Sequence, residues 1–216
     1  MAKIKQGILG GFSGKVANVV GTSWKGRAVM KSQPLSVSNP RTEAQQEQRG
    51  KFSDIAKLAS SILTQFVQPV ENPISGNVSG YNLFCKDNKD AFSALGAIVA
   101  ANFVCGGGKL ENLSSVSSSP AEGDASVAVT WSNPAGMSAI RLTDKVYMAM
   151  FNEDGELVGV TSGTATRNDK SVTIDVIDEE AMPTSNDKLY ILYACVSADG
   201  RDVTIKTAAA AFTVAD

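Results

Sequence analysis

The chain contains no histidine. That excludes Ser-His-Asp and Cys-His catalytic sets, His-ligated zinc, and the commonest general base near neutral pH. Its three cysteines (Cys85, Cys105, Cys195) are odd in number and far apart, with no C-x-x-C pair. They read as reduced, buried, small hydrophobes, so neither a disulfide framework nor a cysteine metal site is expected, and no cofactor. Aromatic residues are only 6% of the chain, with two Trp and four Tyr, none clustered in the loops a glycan-binding module would use. No apolar run reaches the length of a membrane span. The longest candidate, Ala91 to Cys105, is too short and holds Ser93 and Asn102. The N-terminus, M-A-K-I-K-Q-G-I-L-G-G-F, is broken by glycines and lacks the continuous hydrophobic region of a secretory signal. The expectation is a protein made and assembled inside a cell, with no membrane partner.

What the chain does have is a split charge. Residues 1–60 carry ten Lys/Arg against three Asp/Glu, a net of +7, and residues 61–216 carry a net of −9. Lys3, Lys5, Lys15, Lys25, Arg27 and Lys31 come first, with no acidic residue among them. They lie in a stretch rich in Gly, Ser and Val that has no sustained helical period. Segments such as Val16–Val20 and Arg27–Lys31 suit short strands or an extended arm. A basic arm on an acidic body is an assembly part in character, not an enzyme.

Three regions follow: an extended basic arm over 1–38, an α-helical hairpin over 39–105, and a β-sandwich over 109–216. Asn39 with Pro40, or Thr42 with Gln45, can open the first helix. Phe52, Ile55, Ala56, Ala59, Ile62, Leu63 and Phe66 recur at three- and four-residue spacing and form one apolar stripe, ended by Pro69 and Pro73. A second helix is expected from Gly80 to Cys105, and Gly106-Gly107-Gly108 reads as a hinge. Beyond it the period changes to two. Runs at 110–117, 126–132, 145–151, 157–167, 171–177, 188–196 and 202–214 alternate with turn signals such as Asn152-Glu153-Asp154-Gly155 and Ala198-Asp199-Gly200-Arg201. About seven short strands in about a hundred residues match an immunoglobulin- or fibronectin-III-like sandwich. Trp131 and Tyr190 or Tyr193 would be its core aromatics. The fold class is α+β.

Gly10 to Val16 resembles a phosphate-binding loop only superficially. Leu9 stands where the first glycine is needed, and Val16 where Ser or Thr must reach the metal. Asp175, Asp178, Glu179 and Glu180 read as a solvated acidic loop between strands, and the Asn152 to Glu156 turn lacks the twelve-residue calcium pattern. The basic arm with Phe12 and Trp24 could contact nucleic acid, but one Trp and dispersed cations are a poor footprint for it; acidic protein surface, including that of a neighbouring copy, is the preferred partner.

Phe12-Ser13-Gly14-Lys15-Val16 through Trp24-Lys25-Gly26, Asn39-Pro40-Arg41-Thr42-Glu43-Ala44-Gln45, and Tyr81-Asn82-Leu83-Phe84 with Asn88 to Phe92 resemble a poorly characterised family of Bacteroidota genomes, their phages and prophages. The resemblance covers about the first 95 residues and supplies no catalytic residues. It implies a structural component of a phage particle, where immunoglobulin-like modules are common decorations, and a crAss-like phage is the implied source. The resulting expectation is a non-enzymatic virion component, assembled in the host bacterial cytoplasm, such as a head–tail connector ring, tail or capsid-associated protein. Its partners would be other structural proteins and copies of itself. The residues expected to bind them are Lys15, Trp24, Lys25, Arg27, Lys31, Arg41 and Arg49, with Trp24 as the aromatic anchor. The alternatives are a carbohydrate- or surface-binding module and a nucleic-acid-binding protein using the arm.

Overall fold

A computed structural model describes residues 3–4, 11–24, 27–34, 36, 39–91, 99–161, 163–178, 182–185 and 187–215. It divides into two compact units, residues 1–42 and residues 43–216.

The extended basic arm expected over 1–38 is instead a small sheet, because its short strand-forming segments pair with one another. Strands β1 (Lys3–Ile4), β2 (Phe12–Val16), β3 (Val19–Trp24) and β4 (Arg27–Ser32) make an antiparallel meander in chain order. Val16 pairs with Val19 around a two-residue connection, and Ala17 accepts a φ of 48° there, as tight hairpin turns require. Gly21 makes a second close approach feasible. A Cβ on it would lie 2.2 Å from the Phe12 carbonyl oxygen and 2.6 Å from the Phe12 ring, so only glycine lets Phe12 settle on β3.

The second unit opens with α1 (Glu43–Ser61), which begins directly after Thr42, one of the two capping residues expected. Ile55, Leu58, Ala59, Ile62 and Phe66 are buried, while Phe52, the first residue of the expected stripe, is 61% exposed and lies outside the core. Pro69 does not end the helical path. A π-helical turn over Leu63–Val67 leads into α2 (Gln68–Glu71), with Pro69 in its first turn, and a 3-10 turn at Asn72–Ile74 takes up Pro73. The amides of Phe66 and Val67 both donate to the Ile62 carbonyl, at 2.9 and 3.1 Å. The extra residue in that turn re-phases the helix so that proline, which has no N–H, falls where none is needed.

Helix α3 (Gly80–Asp87) is capped by Ser79 Oγ, which accepts from the Asn82 amide at 3.3 Å. The expected continuation to Cys105 is wrong. The fully buried Asn88 stops the helix: its Nδ2 donates to the Phe84 carbonyl (3.0 Å) and the Val104 carbonyl (2.9 Å), and its Oδ1 accepts from the Val104 amide (2.8 Å). One side chain thus serves the helix end and fixes the short strand β5 (Val104–Cys105). Phe92, Leu95 and Ile98 of the expected apolar face lie outside the described residues.

Strands β6 (Ser114–Ser118), β7 (Ser126–Ser132), β8 (Lys145–Phe151), β9 (Leu157–Val160), β10 (Ser171–Asp175), β11 (Lys188–Val196), β12 (Thr207–Ala208) and β13 (Ala210–Thr213) follow. One sheet has the order β10-β7-β6 and the other β13-β11-β8-β9; β12 pairs with β5. Three strands against four in this order is the arrangement of a fibronectin-III-like sandwich, so the α+β reading holds. Strand β7 alternates strictly between exposed and buried, as an outer sheet must, whereas β8 and β11 are buried on nearly every residue. The reason is a third layer. Val146, Met148, Met150, Leu189 and Ile191 face the sandwich interior with Trp131, while Tyr147, Ala149, Phe151, Tyr190 and Leu192 join the helical core with Ile62, Phe66 and Phe84. Phe103 meets Phe151 edge-on, ring centroids 5.1 Å apart. Tyr190 therefore belongs to the helical side and Tyr193 to the interior.

The helices and the sandwich are one unit, and the Gly106–Gly108 segment is no hinge. Gly107 and Gly108 amides donate to the Thr204 carbonyl at 3.0 and 2.9 Å, and a Cβ on Gly108 would sit 2.1 Å from the Val203 carbonyl oxygen. These glycines let two backbones lie in contact.

Candidate functional site

The register of the N-terminal meander sorts its side chains. Lys15 pairs with Val20, and Val20 with Lys31, so the two cations share one face across three strands. Strand alternation adds Val29 and Arg27 of β4 to that face. Lys15, Arg27 and Lys31 are all exposed. The opposite face carries Phe12, Val16, Val19, Ala28 and Met30 and no charge among its described residues; Val16 and Met30 are 53% and 70% exposed. Among the described residues of this unit no second layer covers either face, so the sheet presents cations on one side and apolar groups on the other.

Of the seven expected partner-binding residues, Lys15, Arg27 and Lys31 come together. Trp24 ends β3 at the register position opposite Arg27. Its side chain, and the whole of Lys25, lie outside the described residues. Arg41 precedes α1 and is exposed; Arg49 is exposed on α1 and belongs to the other unit. The strand register puts Lys15, Arg27 and Lys31 on one side, and no local motif carries it.

Polar groups inside the second unit are structural in arrangement. Arg167 is 1% exposed: its Nε lies 3.5 Å from Asp144 Oδ2, its Nη2 donates to the Glu111 carbonyl, and its own carbonyl accepts from Asn133 Nδ2 at 3.0 Å. Burial pushes the Asp144 carboxyl up, against the pull of Arg167 and Arg141. The residues tie the β7–β8 loop to the β9–β10 loop beside a cavity of about 270 Å³. Glu71, 2% exposed, accepts the Gly106 amide on Oε1 at 3.0 Å, while Oε2 has no partner among the described residues. Burial first, then nearby Asp87, raises its pKa to about 7, against the Gly106 hydrogen bond and Lys206. The cysteines are free and buried, as expected; burial holds the Cys195 thiol up at about 12 and Cys105 well above its ordinary value. Such thiols stay protonated at neutral pH and are poor nucleophiles. Among the described residues no cluster of three or more Cys, Asp or Glu could hold a metal ion, and no helix is long and apolar enough to cross a membrane. Asp178 is exposed in the β10–β11 loop, whereas Asp175, expected in that loop, is exposed on the last residue of β10; Glu179 and Glu180 lie outside the described residues.

A family model described as a family of unknown function (DUF6266) matches residues 11–208. That span includes the sandwich, well beyond the first 95 residues of the motif resemblance. No curated protein matches the chain. Among solved structures, the FN1–FN3 domains of chicken CNTN1 are similar at 7% identity and a TM-score of 0.35, over 51% of this chain and 34% of that one. The adhesin domain of Epf from Streptococcus pyogenes is similar at 15% identity and a TM-score of 0.34, over 50% and 32%. The FN5 domain of Drosophila Lar is similar at 14% identity and a TM-score of 0.30, over 49% and 97%. The chain spans about a third of the first two.

Proposed function

The chain belongs to the family of unknown function DUF6266, and we propose that it is a non-enzymatic structural protein that docks into an assembly through its basic N-terminal sheet. The observation that supports this is the separation of labour between the two units. Residues 1–42 carry seven Lys/Arg and no Asp or Glu, in a unit of their own, while residues 43–216 carry a net of −9 and bury a core on each face of the β8–β11 sheet. Three of those cations, Lys15, Arg27 and Lys31, stand on one face of the sheet, where they add up instead of cancelling. Steered by that field, the sheet meets an acidic protein surface, and its outer strands β1 and β4 can add to a neighbour's sheet edge. The particle we have in mind is a phage virion of a Bacteroidota host, with the protein assembled in the host cytoplasm; the motif resemblance supports that choice.

The test is to purify phage particles from a host carrying the gene and measure the protein in them by quantitative mass spectrometry. A fixed copy number per particle is expected. Protein confined to the soluble host fraction, with none in particles, would overturn the proposal.

A further inference from the structure

The polarity of the second unit names a partner for the basic face. Three connections meet at one end of the sandwich: the β6–β7 loop, the β8–β9 turn and the β10–β11 loop. Main-chain bonds tie the β10–β11 loop to the β6–β7 loop, from the Gly123 amide to the Pro183 carbonyl (2.9 Å) and from the Val176 amide to the Ala125 carbonyl (3.0 Å), and to strand β9, from the Ile177 amide to the Val158 carbonyl (2.9 Å). That end exposes Glu122, Glu153, Asp154, Glu156, Asp175 and Asp178. Its one basic residue among the described residues of these connections and their flanks is Lys188, whose Nζ lies 3.9 Å from Glu153 Oε1. The opposite end of the sandwich mixes signs, with Arg141, Arg167, Lys170 and Arg201 among its acidic groups. The body is therefore acidic at one pole, and the meander is basic on one face.

We propose that the basic face of one copy docks on the acidic pole of a second copy, head to tail. This rests on the assembly reading above and names its partner. Charge complementarity carries the choice: the chain itself supplies a compact acidic surface to match Lys15, Arg27 and Lys31. Copies brought together without such contacts would repel through bodies of net −9. Because the two patches differ, the contact is heterologous. It therefore propagates into a ring or an open filament instead of stopping at a symmetric dimer. The contact is polar and exposed, so it weakens as salt shortens the reach of the charges.

The experiment is sedimentation of the full chain and of two charge-reversed forms. One carries Lys15→Glu, Arg27→Glu and Lys31→Glu; the other carries Glu153→Lys, Asp154→Lys and Glu156→Lys. Wild type is expected to self-associate at about 50 mM salt and to dissociate toward about 500 mM. Each reversed form alone should associate about ten- to a hundredfold more weakly, from three exposed pairs. Mixing the two forms should restore association, since each then meets a complementary partner. Circular dichroism confirms folding, and a second set with Gln at the same six positions guards against a misfolded reversal. A wild type that stays monomeric at low salt overturns the inference, whether the face is covered by the chain's own pole or by nucleic acid. So does association that ignores both sets of substitutions. A monomer that still enters phage particles would remove self-docking alone and leave the assembly reading standing.

Discussion

Glu71 gives a prediction whose size can be worked out. Its carboxyl is buried between α2 and the Gly106 segment, with one oxygen on the Gly106 amide and the other without a partner among the described residues. Burial raises its pKa from 4.5 to about 7 in the folded chain. A carboxyl whose folded pKa is raised holds its proton longer when folded than when unfolded. Its contribution is therefore most favourable below about pH 4.5 and is lost as pH rises to about 7, after which it stays constant. The shift corresponds to a loss on the order of 3 kcal/mol across that window, since each pKa unit is about 1.4 kcal/mol. Glu71→Gln keeps an oxygen to accept from Gly106 and cannot ionise, but it buries an amide N–H₂ where no acceptor stands. The variant should be the less stable form at pH 5 by about 1–3 kcal/mol. Its disadvantage should shrink or reverse by pH 8. Urea unfolding at several pH values, wild type against variant, reads this directly. Parallel stability curves from pH 5 to pH 8 would refute the reasoning, because they would mean Glu71 titrates normally.

Other outcomes follow from the same contacts. Gly108→Ala drives a methyl group into the Val203 carbonyl, with backbone on both sides, and should destabilise by about 2 kcal/mol or more, seen as a lowered Tm. Phe66→Ala empties a site with no exposed surface at the junction of helices and sheet and should cost about 3–5 kcal/mol in chemical unfolding. Asn88→Ala removes the helix stop and the anchor of β5, leaving the Val104 amide and carbonyl without this partner; a loss of about 2–3 kcal/mol is expected by the same assay. Removal of residues 1–42 should leave the unfolding transition of the remaining chain nearly unchanged, because the two units are separately compact; a body that no longer unfolds cooperatively would contradict that division.

Much of the sandwich was legible because its strands announce themselves. The runs 126–132, 145–151 and 188–196 are strands with those same bounds. What went unread was the meaning of their difference. Strand β7 alternates, but Lys145–Phe151 and Lys188–Val196 are almost unbroken apolar runs, which a two-layer sandwich with one wet face does not need. They call for a third layer, and the helices supply it. The run 157–167 forms a strand only to Val160, and 202–214 breaks into β12 and β13, because propensity cannot show where a sheet edge ends. Helix α3 ends at Asp87, short of the expected Cys105, for a related reason. Apolar periodicity continues past Asn88, but a buried amide that bonds backbone on both sides is a tertiary event. For the basic arm, composition revealed the charge and the strand tendency. The sorting of Lys15, Arg27 and Lys31 to one face needed the register, which pairing alone establishes.

On the function proposed above, the basic sheet, and not the sandwich, delivers the protein to its assembly. Producing the full chain and residues 43–216 together in the infected host, and measuring their ratio in purified particles against their ratio in the lysate, tests it most directly. Particles that hold the full chain and exclude the truncated one are predicted. Equal incorporation of the two would contradict the account, because docking would then lie in the body.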